Sequence, residues 1–428
     1  MDKVRLAATK IVHEVSKNGA WANVVLAQTL RQEKFGDLDR KFCTELVYGT
    51  IKAGASLDWK ISKYVNRPLK KVDAKVLAVL RVAAYQIFFL DRVPNSAAVN
   101  ESTELAKKFC SQSAAKFVNG VLRSAVREPT KSDFPTGDDA ESLALRTFHP
   151  SQLVKMFVEE FGLDATKKIL DFDNTDPPLC LRVNFLRTTR EKILDALKKF
   201  DVQAQPSTFA PEGIICRGHG ALDKFQPLRD GLCQVQDESS MTAARFLNPQ
   251  AGEFVIDCCA APGGKSTHMA ELMQNRGRIV AADIYETKIE HIKQNAERLG
   301  IKIIEPTLID ARELGKNFPE RADKVLVDAP CSGLGVLRRK ADMRWKNLAD
   351  IDALPTLQTE ILSSAAETLK RGGTLVYSTC TIFKRENQAV VENFLSTHKD
   401  FELVETKIFL PHVTNTDGFF AAKLIRSI

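Results

Sequence analysis

The sequence predicts an α/β fold: a doubly wound, mainly parallel sheet in the C-terminal half, preceded by a small α/β subdomain and an all-helical N-terminal third. Three observations predict it. From Phe254 onward, strand-like and helix-like runs alternate with few interruptions, as in a parallel sheet crossed by helices. In the first third, apolar residues recur three and four apart (Val4, Ala7, Ala8, Ile11, Val12, Val15) without strict alternation. Between these regions, one alternating strand is followed by a helical stripe. The expected divisions are residues 1–130, 145–240 and 241–428.

The N-terminal third carries the charge. Residues 1–130 hold 22 Lys and Arg against 12 Asp and Glu, a net of +10, whereas the remainder nets −3. Such an excess on a small unit favours a polyanionic partner, RNA or DNA rather than membrane, because no basic amphipathic helix with an aromatic face stands out. Val76 to Leu90 is apolar nearly all round, as a central buried helix would be. Arg81 and Gln86 interrupt it, and it falls short of the ~20 residues of a membrane span. Pro94 ends that run, Asn95 or Ser96 can cap the next helix, and Leu105 and Phe109 sit one turn apart within it. The first thirty residues lack the continuous apolar core of a signal peptide. A cytoplasmic protein is expected.

Glu128 to Asp139 combines Pro129, Pro135 and Gly137 with four acidic residues and reads as a linker. Ser151 to Phe161 reads as a helix. Leu181 to Phe185 alternates, so that Leu181, Val183 and Phe185 should face a core while Arg182 and Asn184 face away. Ile193, Leu194, Leu197 and Phe200 then make the helical stripe.

In the C-terminal half, four strand-like runs end at or near Asp257, Asp283, Asp310 and Asp328, so carboxylates should ring one crevice at the sheet's carboxyl edge, where ligands bind in open α/β sheets. Helix capping is the plainer use of such aspartates and suits one or two of them. Nine cysteines, an odd number without C-x-x-C spacing, suggest neither a disulfide framework nor a zinc site, and fit a reducing compartment. Cys331 and Cys380 each follow a strand-like run (Lys324 to Asp328, Thr374 to Tyr377) and should emerge at the same edge. A single cysteine there would read as inert packing. Two at equivalent strand ends, one flanked by Pro330, Gly333 and Gly335, point to chemistry.

The loop C-C-A-A-P-G-G-K-S-T at 258–267 has two possible meanings. A phosphate-binding loop ending at Lys265 and Ser266 requires glycine at position 259, where Cys259 stands. A nucleoside cofactor fits better. Gly263 and Gly264 allow close approach to the backbone, and Asp283, nineteen positions after Gly264, is placed to hold ribose hydroxyls.

These segments resemble a known family. L-V-Y-G-T at 46–50, L-R-V-A-A-Y-Q at 80–86 and F-V-N-G-V-L-R at 117–123 resemble the helical RNA-binding domain of the NusB family over residues 3–128. D-C-C-A-A-P-G-G-K-S-T at 257–267, D-A-P-C-S-G-L-G-V-L-R-R-K-A-D-M-R-W at 328–345, S-T-C at 378–380 and D-G-F-F at 417–420 resemble the RNA 5-methylcytosine methyltransferases. The resemblance implies a Rossmann-like sheet, S-adenosyl-L-methionine as cofactor and methylation of one cytosine of 16S ribosomal RNA; no metal and a monomeric protein are expected beside it. It also implies roles. Cys259, Ala260, Ala261, Pro262, Gly263, Gly264 and Lys265 would form the cofactor loop, Asp283 would bind ribose, Asp310 would lie by the adenine, and Asp328 near the methionine end and the cytosine. Cys380 would be the nucleophile and Cys331 would assist release. Two positions depart from the family: Cys258 stands where another apolar residue is usual, and Thr287 to Ile289 lacks the arginine common after the ribose-binding aspartate.

The implied chemistry needs a thiol, because carbon 5 of cytosine is too weak a nucleophile until a thiolate adds to carbon 6. The competing function class is a binding protein, an antitermination-like RNA module fused to an idle α/β domain. Intact Cys331, Cys380 and cofactor aspartates argue against idleness.

Overall fold

Side-chain caps and buried stripes build the first of two compact units. The computed structural model describes residues 2–217, 225–345 and 348–428. Unit 1 comprises Met1–Asn174 with Arg339–Lys346, and unit 2 comprises Thr175–Arg338 with Asn347–Ile428.

Unit 1 is helical: α1 (Lys3–Asn18), α2 (Ala22–Gln32), α3 (Asp37–Ser62), α4 (Ala74–Phe89), α5 (Asn95–Phe109), α6 (Gln112–Arg127), α7 (Ala140–Thr147), α8 (Ser151–Phe161) and α9 (Leu163–Phe172). Asp2 caps α1 by accepting from the N–H groups of Val4 and Arg5, and Gly19 ends it in a left-handed turn. The expected stripe Val4, Ala7, Ala8, Ile11 and Val12 packs on Leu46, Val47 and Ile51 of α3 and on Val82 of α4. Helix α4 is the buried centre, as its all-round apolar surface predicts. Its one buried amide, Gln86, donates to the Val82 carbonyl at 2.9 Å and accepts from Arg5 Nε at 2.7 Å. Neither Asn95 nor Ser96 caps α5; Pro94 occupies the cap position and both residues lie inside the first turn. The expected linker is docked rather than free. Lys60 donates to the Ser132 carbonyl at 2.7 Å, and its ammonium lies 4.2 Å from the centre of the Phe134 ring.

Residues 339–345, which continue the D-A-P-C-S-G run in the sequence, belong to unit 1. Arg344 is fully buried there, donating to the carbonyls of Phe148 and Asp173 and to Asn174 Oδ1 at 2.8–3.0 Å. Trp345 donates to the Ile51 carbonyl at 2.7 Å. Gly54 leaves room for that indole, since a Cβ there would lie 2.8 Å from it.

Unit 2 contains two sheets. The smaller one orders β1 (Leu179–Val183), β2 (Gln203–Pro206), β3 (Gly213–Arg217) and β4 (Cys233–Val235) as β2-β3-β1-β4, all antiparallel, with α10 (Arg190–Lys199) packed against it. Leu181 and Val183 face its core as expected, but Phe185 lies beyond the strand and is half exposed, whereas Arg182 and Asn184 are buried. The alternation assumed solvent on the second face, and protein covers it. Asn184 donates to the carbonyls of Gly231 and Leu299.

After α11 (Gln226–Arg229) and α12 (Glu238–Leu247) come β5 (Phe254–Asp257), α13 (Gly264–Leu272), β6 (Arg278–Asp283), α14 (Glu286–Leu299), β7 (Ile304–Leu308), α15 (Leu314–Asn317) and β8 (Ala322–Asp328). They are followed by α16 (Leu354–Thr368), β9 (Leu369–Thr379), α17 (Gln388–Thr397), β10 (Phe401–Phe409), α18 (Pro411–Thr414) and β11 (Phe419–Arg426). The large sheet runs β10-β11-β9-β8-β5-β6-β7. Its five strands from β9 to β7 are parallel, and β11 and β10 add an antiparallel edge. Successive residues of β8 point to opposite faces. Val325 and Val327 join a core under α16 and α17, while Leu326 joins a second core under α12, α13 and α14. Burial on both faces is why the strands read as continuous apolar runs.

Candidate active site

The chain lays β6 and β7 on one side of β5 and then returns to place β8 and β9 on the other. That reversal opens a crevice at the carboxyl ends of β5 and β8. The loop after β5, the end of β8 and the end of β9 meet along this edge.

The loop after β5 folds tightly. Ala260 N–H donates to the Ala282 carbonyl at 2.8 Å, and Gly263 N–H donates to the Ala260 carbonyl at 2.7 Å. Ala260 packs on Ala281 and Ile292, with Ala261 beside it, and the Pro262 carbonyl accepts from Asn295 at 2.8 Å. Gly263 adopts φ 95°, where a side chain would be strained, and Gly264 starts α13. Asp257, fully buried, accepts from the Ser266 hydroxyl at 2.6 Å and so braces the first turn of α13. Burial raises the thiols of Cys258 and Cys259, which are poor candidates for a nucleophile. The small sheet also clamps this loop. Arg182 donates to the Gly264 carbonyl at 2.6 Å, and to Thr267 Oγ1 and Glu271 Oε1 at 2.9 Å.

Asp283 ends β6 and is 7% exposed, with its Oδ1 accepting from Tyr285 N–H at 3.2 Å and lying 3.5 Å from Lys288 Nζ. Asp310 lies two residues beyond β7. It caps a short turn at Arg312 N–H and pairs with the Arg312 guanidinium at 2.7 Å, which holds its carboxyl below the usual range. Asp328 ends β8. Its Oδ2 receives Lys265 Nζ at 2.6 Å, and its Oδ1 accepts from the Ser378 hydroxyl at 2.9 Å. Burial alone would lower the Lys265 ammonium, but attraction to Asp328 overrides it and holds the group above its ordinary value. Attraction to Cys380 acts in the same direction.

The two cysteines come together. Cys331 Sγ and Cys380 Sγ are 2.9 Å apart, and Cys380 N–H points at Cys331 Sγ from 3.2 Å. The hydrogen bond to Cys380 and burial push the Cys331 thiol well up, and the charges of Cys380, Glu386 and Asp328 add to this. The D-G-F-F segment stitches the loop in place. Gly335 N–H donates to the Cys380 carbonyl at 3.0 Å, and Gly418 N–H donates to the Gly335 carbonyl at 2.7 Å. A Cβ on Gly335 would lie 2.5 Å from the Gly418 carbonyl oxygen, so only glycine fits this approach.

Sequence reasoning missed Arg182, Arg312 and Glu386, and treated Asp257 only as one more strand-end aspartate. For Glu386 the one available signal was its place, because K-R-E-N at 384–387 follows S-T-C and T-I-F directly, while its charged composition reads as surface. Among the described residues, no cluster of His, Cys, Asp or Glu could hold a metal ion, and no helix is long and apolar enough to cross a membrane.

Comparison with known proteins adds three family matches: NusB family over residues 2–127, a ferredoxin-like domain of RsmF/B-like methyltransferases over 149–223, and 16S rRNA methyltransferase RsmB/F over 244–425. The probable ribosomal RNA small subunit methyltransferase B of Bacillus subtilis is 38% identical and aligns over 98% of each chain. The crystal structure of PH0851 superposes with a TM-score of 0.88 at 28% identity, covering 100% of this chain and 99% of that one. The crystal structure of NSun6 from Pyrococcus horikoshii with SFG gives 0.61 at 26% identity, covering 65% of this chain and 98% of that one.

Proposed function

The chain belongs to the ribosomal RNA small subunit methyltransferase B family, and from that premise we propose that it methylates carbon 5 of a cytosine in 16S ribosomal RNA through an adduct of Cys380 at carbon 6. The observation that carries this reading is the pair of sulfurs, 2.9 Å apart, at the ends of adjacent parallel strands. S-adenosylmethionine, when bound, supplies an electrophilic methyl group. The residues present fit such a nucleoside cofactor. A Cβ at Gly264 would meet only Gln234 Nε2, at 3.6 Å, which leaves the first turn of α13 open. Asp283 offers a carboxylate acceptor for ribose hydroxyls one strand away. Asp310, tied to Arg312, lies farther along the same edge, where the resemblance puts the adenine.

The protein's own groups then act in order. The Cys380 thiolate adds to carbon 6, and its electron pair makes carbon 5 nucleophilic. Lys265, held on Asp328 and attracted to Cys380, supplies fixed positive charge to the site. Asp328, oriented by Lys265 and Ser378, presents its carboxylate toward the base to be modified. After methyl transfer, carbon 5 loses its proton, the double bond re-forms, and the carbon–sulfur bond breaks with its pair returning to Cys380. Cys331 is the group held nearest for that last stage. Before any of this, the cytosine must leave its stack. The basic N-terminal helices contribute phosphate contacts in this scheme.

The test is methyl transfer from labelled cofactor to 16S rRNA taken from a deletion strain, followed by nucleoside digestion. The expected product is 5-methylcytosine, absent with Cys380→Ala. Label recovered in any other nucleoside overturns the reading.

A further inference from the structure

The Glu386 carboxylate is fully buried directly behind the turn that carries Cys331. Its Oε2 accepts from Ser332 N–H at 2.8 Å, and its Oε1 accepts from the Ser332 hydroxyl at 2.6 Å. Gln358 Nε2 reaches the same Oε2 at 3.1 Å and the Pro330 carbonyl at 2.9 Å. Both neighbours of Cys331 are therefore held, one directly and one through Gln358, by a single carboxylate. Glu386 is itself anchored to the other strand, because Tyr377 of β9 donates its hydroxyl to the Glu386 carbonyl at 2.6 Å. Cys380 lies three residues after Tyr377. One residue thus joins the turn after β8 to the end of β9, the two elements that carry the sulfurs.

A buried carboxylate is an expensive brace. Its side-chain partners, Ser332 and Gln358, are neutral, and a neutral amide could satisfy them at lower desolvation cost. A glutamine could accept from Ser332 N–H and Gln358 with its oxygen and donate to the Ser332 hydroxyl, which already pairs with Thr381 Oγ1 at 3.0 Å. What the amide would not supply is negative charge beside Cys331.

We propose that Glu386 is a positioning residue for the release step, holding the Pro330–Ser332 turn so that Cys331 Sγ stays against Cys380 Sγ. This rests on the covalent reading of Cys380. In the adduct, Cys380 sulfur is bonded to carbon 6, so its hydrogen bond and its charge no longer act on Cys331, and the Cys331 thiolate becomes accessible. That thiolate takes the proton from carbon 5, the C5–C6 double bond forms, and the pair of the breaking carbon–sulfur bond returns to Cys380. Glu386, with Asp328, keeps the Cys331 sulfur basic while it does so.

The experiment follows single-turnover release by the full chain with 16S rRNA and S-adenosylmethionine, counting RNA in complexes that survive a denaturing gel. Glu386→Ala is expected to accumulate such complexes as Cys331→Ala does, with release slowed on the order of a hundredfold, the scale of an ångström's misplacement of a reacting group. Adding Cys331→Ala to Glu386→Ala should slow release no further. Glu386→Gln, which keeps the hydrogen bonds and removes the charge, should release at nearly the normal rate with its pH profile displaced to lower pH. Where thermal melting shows Glu386→Ala unfolded, Ser332→Ala weakens the same tie and should accumulate complexes too. Folded Glu386→Ala or Ser332→Ala protein that releases RNA normally overturns the inference, as does an unmoved pH profile in Glu386→Gln. A wild-type protein that makes no 5-methylcytosine and no covalent complex overturns the covalent reading instead, which separates the two failures.

Discussion

Cys331 Sγ and Cys380 Sγ lie 2.9 Å apart, although their residues are 49 positions apart in the chain. Parallel pairing of β8 with β9 and the Gly335 hydrogen bond to the Cys380 carbonyl bring them together. Geometry this close leaves the division of labour to be read from what each mutant accumulates. Cys331→Ala should form the bond to RNA and release it slowly, giving a complex stable to denaturing electrophoresis. Cys380→Ala should be inactive and trap nothing. A trapped complex with Cys380→Ala instead would exchange the two roles, as in DNA cytosine methyltransferases, where the thiol of a Pro-Cys pair attacks.

Asp283 is almost buried and keeps its carboxylate at the crevice. Asp283→Ala should weaken S-adenosylmethionine binding by about 1 to 3 kcal/mol, the scale of a lost charge-assisted hydrogen bond, while the fold persists. Calorimetric titration reads it directly, and unaltered affinity in a folded variant would move the ribose contact to another residue.

Asp257 gives stability a pH dependence. Burial pushes its carboxyl up to about 7, against the partial relief of the Ser266 hydrogen bond. The folded form therefore binds the proton more tightly than the unfolded chain, whose value is about 3.9. Its contribution is complete below about pH 4 and is lost as pH rises through about 7. Asp257→Asn should remove this dependence and raise stability at pH 8 relative to pH 5, by roughly 3 kcal/mol at most. Denaturant melts at the two pH values measure it, and parallel losses in both proteins would show that Asp257 is not the titrating group.

In unit 1, a groove of about 920 Å³ is bordered by exposed Arg67 and Lys116, with the Arg67 guanidinium 4.6 Å from the centre of the Phe117 ring. If these cations neutralise phosphates, Lys116→Ala should lower the slope of log affinity against log salt by about one and leave cofactor binding unchanged. Fluorescence anisotropy with rRNA across ~50 to 200 mM salt would test this. An unchanged slope would place the phosphate contacts on other basic residues.

The strand ends were legible because V-L-V-D and its counterparts are apolar on both faces and close on a carboxylate. The same logic brought Asp328 and both cysteines to one edge. What escaped depends on partners distant in sequence. Arg182 was expected in solvent because alternation says nothing of what covers the second face. Glu386 sits in a K-R-E-N run that reads as a solvated surface, yet it is buried by the turn it holds. Arg312 was invisible as the partner of Asp310, since a contact two residues away leaves no periodic trace. The motif ending in M-R-W reads as one unbroken string, but its local pattern does not reveal that Arg344 finds its carbonyl acceptors at Phe148 and Asp173.

That last feature sets an order of events during synthesis. The helical unit leaves the ribosome first, and domains generally fold as they emerge. Its interior is not finished at residue 174, because the indole that fills the space over Gly54 and the guanidinium that satisfies the Phe148 and Asp173 carbonyls arrive about 170 residues later. At ~5 to 20 residues per second, those carbonyls and that space wait roughly 10 to 30 seconds for their occupants. A gene fragment ending at residue 174 would encode the helices α1 to α9 with that place permanently vacant, so this part of the chain is not a cassette to be cut out and grafted unchanged.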